Sequence, residues 1–175
     1  MKLLWIKANK VGSKLIQWGL DSDCSHFAIS FDEDARGRGI AFHSYGSGTQ
    51  LEWLRDFKKK YTVVHSLQSS QYLNLADEES IYKAILEEEA GRSYDYPALI
   101  YFALVVAWNK LTGRKNLPIK NRWQRSNMRL CTGIAPTVFK ALSVPMPSGI
   151  DAEMVSPVEL YEIALKSGRF FSTMR

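Results

Sequence analysis

Two residue types in this 175-residue chain could combine into a nucleophilic site: cysteine, at positions 24 and 131, and histidine, at positions 26, 43 and 65. Cys131 stands just before an apolar stretch, 134–142, that reads as helical. A thiol at a helix N-terminus has its pKa lowered, and free backbone N–H groups there can receive a developing oxyanion. Arg125 and Arg129 add positive charge nearby, and Thr132-Gly133 leaves room beside the sulfur. Pro136 would clash deep inside a helix, so the helix must begin close to Cys131 or Thr132. The competing reading is a buried core cysteine, because free Cys is among the most buried residue types.

A thiol nucleophile also needs a base, and a group that orients the base. In SHFAISF (25–31), His26, Ala28 and Ser30 alternate with Phe27, Ile29 and Phe31. That period of two predicts a strand whose small-residue side lines a cleft, with His26 as the base. GIAFHSY (39–45) predicts a second strand, from which His43 could neighbour His26 and hold its ring. Ser44 and Glu52 are the alternatives for that role. His65 and Cys24 read as structural. No CxxC pair and no Cys/His cluster with zinc-ligand spacing is present, so no metal or organic cofactor is implied.

The elements that must hold these residues follow from the same patterns. A short amphipathic helix is predicted at 14–19, a hairpin loop at 32–39 and a third strand at 61–67. Asn74 can cap a helix running to Gly91, with Asp77, Glu78 and Glu79 in its first turn. The segment 97–111 is apolar nearly all round, which predicts a buried helix. Another helix, over 129–142, carries Cys131. Near the end, Ser156-Pro157-Val158-Glu159 has a capping Ser, a Pro at the first helical position and a Glu at the third, and Gly168 marks the stop. Strands first and helices later is an α+β pattern.

Composition bounds the class. Hydrophobic residues at 46% and charged residues at 23% are ordinary globular values, which excludes disordered and fibrous chains. The length predicts a single domain over 1–175. Charge is uneven: 97–131 holds no Asp or Glu but contains Lys110, Arg114, Lys115, Lys120, Arg122, Arg125 and Arg129. Such a run is either a solvated loop or a patch facing an anionic polymer or membrane surface. Nucleic acid is the least supported partner, since no recognised module accompanies the basic residues. Lysines at 2, 7, 10 and 14 break up any signal-peptide core, and the apolar run 97–107 is too short to span a bilayer, so a cytoplasmic location is expected.

Taken together, several segments resemble one family. Asp23-Cys24-Ser25-His26-Phe27-Ala28-Ile29 is similar to the Ser-His-aliphatic strand of the circularly permuted NlpC-like cysteine hydrolases, the YiiX and YaeF type of the papain-like superfamily. In that group the histidine strand comes first and the cysteine helix late, as here. Leu15-Ile16-Gln17-Trp18 resembles its leading helix, and Ile40 to Gly48 its second strand, with His43 where a polar residue, often Glu, is expected. Gly91-Arg92-Ser93-Tyr94-Asp95-Tyr96 resembles its Gly-x-x-Tyr-Asp-Tyr segment. Arg129-Leu130-Cys131-Thr132-Gly133 resembles the start of its nucleophile helix, with Thr-Gly replacing the usual Ser-Glu.

The resemblance implies a papain-like antiparallel sheet with packed helices and a catalytic set of Cys131, His26 and His43. It implies a bacterial or phage setting and a cysteine hydrolase, either a peptidase or amidase on cell-wall peptides or a lipid acyl hydrolase or acyltransferase. The partner would be a peptide, amide or lipid acyl substrate. The rival from another class is a non-catalytic domain that binds an anionic partner through the basic segment 108–129.

Overall fold

The computed structural model describes residues 1–9, 11–31, 38–70, 75–114, 120–146, 148–149, 151 and 154–173. Its centre is a strand that the sequence patterns do not announce. β1 (Lys2–Lys7) buries Leu3, Leu4, Trp5 and Ile6. A strand covered on both faces reads as a continuous apolar run, without alternation. β2 (His26–Phe31) and β5 (Thr62–Ser69) flank it, and β3 (Ile40–Tyr45), β4 (Gly48–Trp53) and β8 (Phe170–Ser172) complete one sheet in the order β4-β3-β2-β1-β5-β8. Every pairing in that sheet is antiparallel. Two short strands, β6 (Ser93–Tyr94) and β7 (Met128–Arg129), pair in parallel beside it.

The helices are α1 (Val11–Leu20), α2 (Leu54–Lys60), α3 (Leu75–Glu88), α4 (Tyr96–Thr112), α5 (Ala135–Ala141) and α6 (Pro157–Lys166). On one face of the sheet Leu3, Trp5, Phe27, Ile29, Phe42 and Leu67 pack against Ile81 and Ile85 of α3, Val138 and Phe139 of α5, and Leu160 and Ala164 of α6. Each large apolar side chain buried this way contributes roughly 1.5–3 kcal/mol, so this layer dominates the stability. On the other face Leu4, Ile6, Ala28 and Ala41 lie under Leu54 and Phe57 of α2. The architecture is α+β, as the patterns predict.

Local signals account for several boundaries. Ser156 accepts from the Glu159 backbone N–H while Glu159 reaches back to Ser156, and Pro157 opens α6. Asp95 caps α4, and Gly113 closes it in the left-handed region at φ 71°. The helix at 14–19 extends over the whole of α1, and α3 ends at Glu88, before Gly91. The expected cap Asn74 and most of the expected hairpin loop at 32–39 lie outside the described residues.

Three expectations need correction. The order is not strands before helices, because α1 and α2 fall among the strands and β8 closes the chain against β5. The cysteine-bearing helix does not start at 129: Met128–Arg129 is strand, and a 3-10 turn over Thr132–Ile134 leads into α5. Pro136 sits in the first turn of α5, where its missing N–H costs nothing. Finally, α4 is not buried all round. Ala98, Phe102, Ala103 and Val106 face inward, but Ile100, Leu104, Trp108 and Leu111 are exposed. No helix among the described residues is long and apolar enough to cross a membrane.

Candidate active site

His26 opens β2 and is fully buried. It shares a sheet face with Ala28, which lies directly opposite His43 on β3. The two rings meet there, with His26 Nε2 3.2 Å from His43 Nδ1. On the far side, His43 Nε2 is 2.9 Å from Glu52 Oε1 on β4, and Glu52 is in turn paired with Lys60 at the end of α2. Tyr45 and Tyr61 wall the histidines in, and Phe57 packs edge-on to His43.

This chain of groups fixes the tautomers. The Glu52 carboxylate, facing Lys60, can only accept, so His43 Nε2 carries a proton and His43 Nδ1 is left as an acceptor. His26 Nε2–H then donates to it, which leaves His26 Nδ1 as the unprotonated nitrogen. Burial, with His43 adding to it, holds the His26 imidazole well below its ordinary pKa. Burial also lowers His43, opposed by Glu52. Both rings are neutral at pH 7, and His26 is a base in its free form.

Cys131 is buried at the start of the 3-10 turn that runs into α5. Its segment is anchored from the sheet: the Ser44 hydroxyl donates to the Arg129 carbonyl at 3.0 Å, and the Asp95 backbone N–H donates to the same oxygen at 3.1 Å. Asp95 also accepts from the backbone of Ala98 and of Arg125, so one carboxylate both starts α4 and shapes the approach to Cys131. The backbone N–H groups of Phe27, Thr132 and Cys131 itself point at the sulfur and lower its pKa. Burial outweighs them and pushes the thiol up to about 11.

That overturns the expectation of a thiol pKa lowered by its helix and its arginines. The physical reason is desolvation, and Arg129 is otherwise engaged, 3.0 Å from the buried Glu89. The thiol meets β2 at the backbone N–H of Phe27, next in the chain to His26. No hydrogen bond joins Cys131 to His26 among the described residues. The structure therefore brings His26 and His43 together and sets Cys131 against the same strand.

Cys131 also lines a small, mainly apolar cavity of about 20 Å³ with Ile16, Ser25, Leu99, Phe102, Thr132, Val155 and Pro157. Cys24 is buried in the core, its thiol raised by burial and 3.2 Å from the Ser22 hydroxyl. His65 packs on Tyr161 away from these groups. Glu52, which the sequence offers only as an alternative to His43, proves to be its partner. Lys60 and Tyr61 have no sequence signal, since Lys60 reaches Glu52 from the end of α2 and Tyr61, which follows that helix, packs on the His43 ring.

No family model matches the chain, and no curated protein matches it in sequence. Among solved structures it is similar to the crystal structure of the metalloprotein YiiX from Escherichia coli O157:H7, with a TM-score of 0.56 over 99% of this chain and 95% of that one. The fold is of the papain-like type. At 14% identity the likeness extends to the papain-like fold and no further. Among the described residues no group of three or more His, Cys, Asp or Glu side chains is arranged to hold a metal ion. The nitrogens and oxygen by which His26, His43 and Glu52 face one another are already bonded together.

Proposed function

We propose that this chain is a thiol-dependent acyl hydrolase or acyltransferase, with Cys131 as the nucleophile, His26 as the base and His43 as the positioning residue. The observation that carries this reading is the Lys60–Glu52–His43–His26 chain. It leaves a buried neutral imidazole with an unprotonated Nδ1 on the same strand whose next backbone N–H, that of Phe27, acts on the Cys131 thiol to lower its pKa. Among the described residues no hydrogen bond joins Cys131 to His26, and this reading requires the contact to form when substrate binds, as catalytic hydrogen bonds that are long in the free protein often do.

Since the thiol is raised and His26 is lowered, the dyad works as a neutral pair. Cys131 Sγ attacks the substrate carbonyl carbon as its proton passes to His26 Nδ1, and the carbonyl π electrons move to oxygen. N–H groups at the start of the 3-10 turn receive that oxyanion. Collapse expels the leaving group, which takes the proton from His26, and leaves an acyl thioester on Cys131. Water or another acceptor, deprotonated by His26, then attacks the thioester, and Cys131 regains its proton. No step passes through a metal.

The cavity at Cys131 is mainly apolar, walled by Ile16, Leu99, Phe102, Val155 and Pro157, which suits an acyl chain better than a peptide, but at about 20 Å³ it must open before any acyl group can enter. The test is incubation with acyl thioesters and p-nitrophenyl esters of graded chain length, followed by mass spectrometry of the intact chain and its peptides. An acyl adduct on Cys131, lost in Cys131→Ala and much slower in His26→Ala, is expected. Adducts elsewhere, or none with any chain length, would overturn the reading.

A further inference from the structure

α1 and α4 lie side by side and run in the same direction. Gly12 faces Leu99, and Gly19 faces Val106 so closely that an added Cβ would overlap the Val106 side chain. At the far end Lys110 pairs with Asp21 just beyond α1. The inner sides of the pair are core: Ile16, Phe102, Ala103 and Val106 form one buried cluster.

The outer sides are apolar too. On α4 Tyr96, Ile100, Leu104, Trp108 and Leu111 are 52–73% exposed, at helical spacings that set them along one ridge. On α1 Val11, Leu15 and Trp18 form a second ridge, 36–86% exposed. Eight of the fourteen large apolar side chains exposed among the described residues thus belong to this one helix pair. A contiguous apolar patch of that kind is rare on a monomeric protein unless something covers it.

Charge says what covers it. Neither helix contains an Asp or Glu, and their cations are Lys14 and Lys110, joined by exposed Arg114 just past the end of α4. Exposed Lys120, Arg122 and Arg125 follow in a stretch without acids. A second copy of this chain would bring these like charges together with no carboxylate in either helix to answer them. An apolar ridge with Trp and Tyr rings and a basic margin is the composition of a surface that lies in a lipid interface.

We propose that the outer face of the α1–α4 pair docks on an anionic lipid bilayer, lying in the interface without crossing it. The cavity at Cys131 is lined from the inner sides of the same two helices, by Ile16, Leu99 and Phe102. Docking therefore lays at the bilayer the two helices whose inner sides wall Cys131, and makes a lipid acyl group the substrate class; this last step rests on the acyl-transfer reading above.

The test is sedimentation of the full chain with phosphatidylcholine vesicles and with vesicles of equal parts phosphatidylcholine and phosphatidylglycerol, alongside light scattering of the protein alone. Binding to the anionic vesicles only, weakened by salt, is expected. Lys14→Glu and Arg114→Glu should each reduce partitioning about fivefold. Leu104→Glu with Trp108→Glu should reduce it at least about tenfold while circular dichroism stays unchanged. Ile100→Gln is a milder variant that reports on the same ridge.

Three results would overturn the docking: equal partitioning to both vesicle types, no partitioning, or a dimer in solution that Trp108→Glu dissociates. Cys131→Ala should bind vesicles like the wild type. Vesicle binding without acylation of Cys131 would leave the surface standing and remove the acyl-transfer reading, whereas acylation without vesicle binding would do the reverse.

Discussion

Burial at Cys131 has a measurable consequence for alkylation by iodoacetamide. With the thiol at about 11 instead of its ordinary 9.0, its thiolate fraction at neutral pH falls about a hundredfold. Because the thiolate is the reacting species, Cys131 in the folded chain should alkylate at least about a hundredfold more slowly than in the denatured chain. Its rate should climb about tenfold per pH unit without levelling below roughly pH 10. Peptide mass spectrometry reads Cys131 and Cys24 in the same sample, and Cys24, also raised by burial, should climb with pH as well. The decisive contrast is His26→Ala. A neutral pair predicts that this variant leaves the alkylation profile of Cys131 unchanged, although it slows acylation by substrate. A plateau near neutral pH that vanishes in His26→Ala would show a resting thiolate–imidazolium pair and refute the burial argument.

Other consequences are simpler to state. His26 and His43 are lowered from 6.5 in the folded chain, so the unfolded chain binds more protons once pH drops below 6.5, and stability falls as pH falls. The slope should reach up to about 1.4 kcal/mol per pH unit for each histidine, and thermal melts between neutral and acid pH that stay flat would contradict it. For the same reason His26 remains a base well below pH 6.5, so the acid limb of kcat/KM should lie on the acid side of that value. His43→Ala and Glu52→Gln should each slow Cys131 acylation about tenfold or more, less than Cys131→Ala does, and should move that acid limb; an unmoved pH profile would reduce both to packing residues. Gly19→Ala should destabilise by roughly 1–3 kcal/mol because its Cβ overlaps Val106, whereas Gly12→Ala, with Leu99 4.0 Å away, should not; equal melting temperatures for the two would contradict the close packing.

The alternation in 26–31 and 40–45 was legible because one side of each strand holds small or polar residues and the other large apolar ones. The Ser156 capping box and the stop at Gly168 were legible because caps and left-handed stops are chemistry of a few adjacent residues. β1 was not legible, since a strand covered on both faces has no period to read. The exposed ridge of α4 was misread as core because hydrophobicity does not say which partner, protein or lipid, buries it.

At the site the division is the same. The local sequence set residue types and order: a histidine opening one strand, another on the next, and a cysteine made to stand at a helix start by Pro136. Only the tertiary structure decided that Glu52 and Lys60 complete the histidine chain, because the pairing of β3 with β4 and the return of α2 bring together residues that no short-range pattern links. Only the tertiary structure decided the state of Cys131 as well. A helix start favours a thiolate whatever surrounds it, but desolvation depends on how many other segments close over the sulfur, and here burial outweighs the N–H groups that point at it.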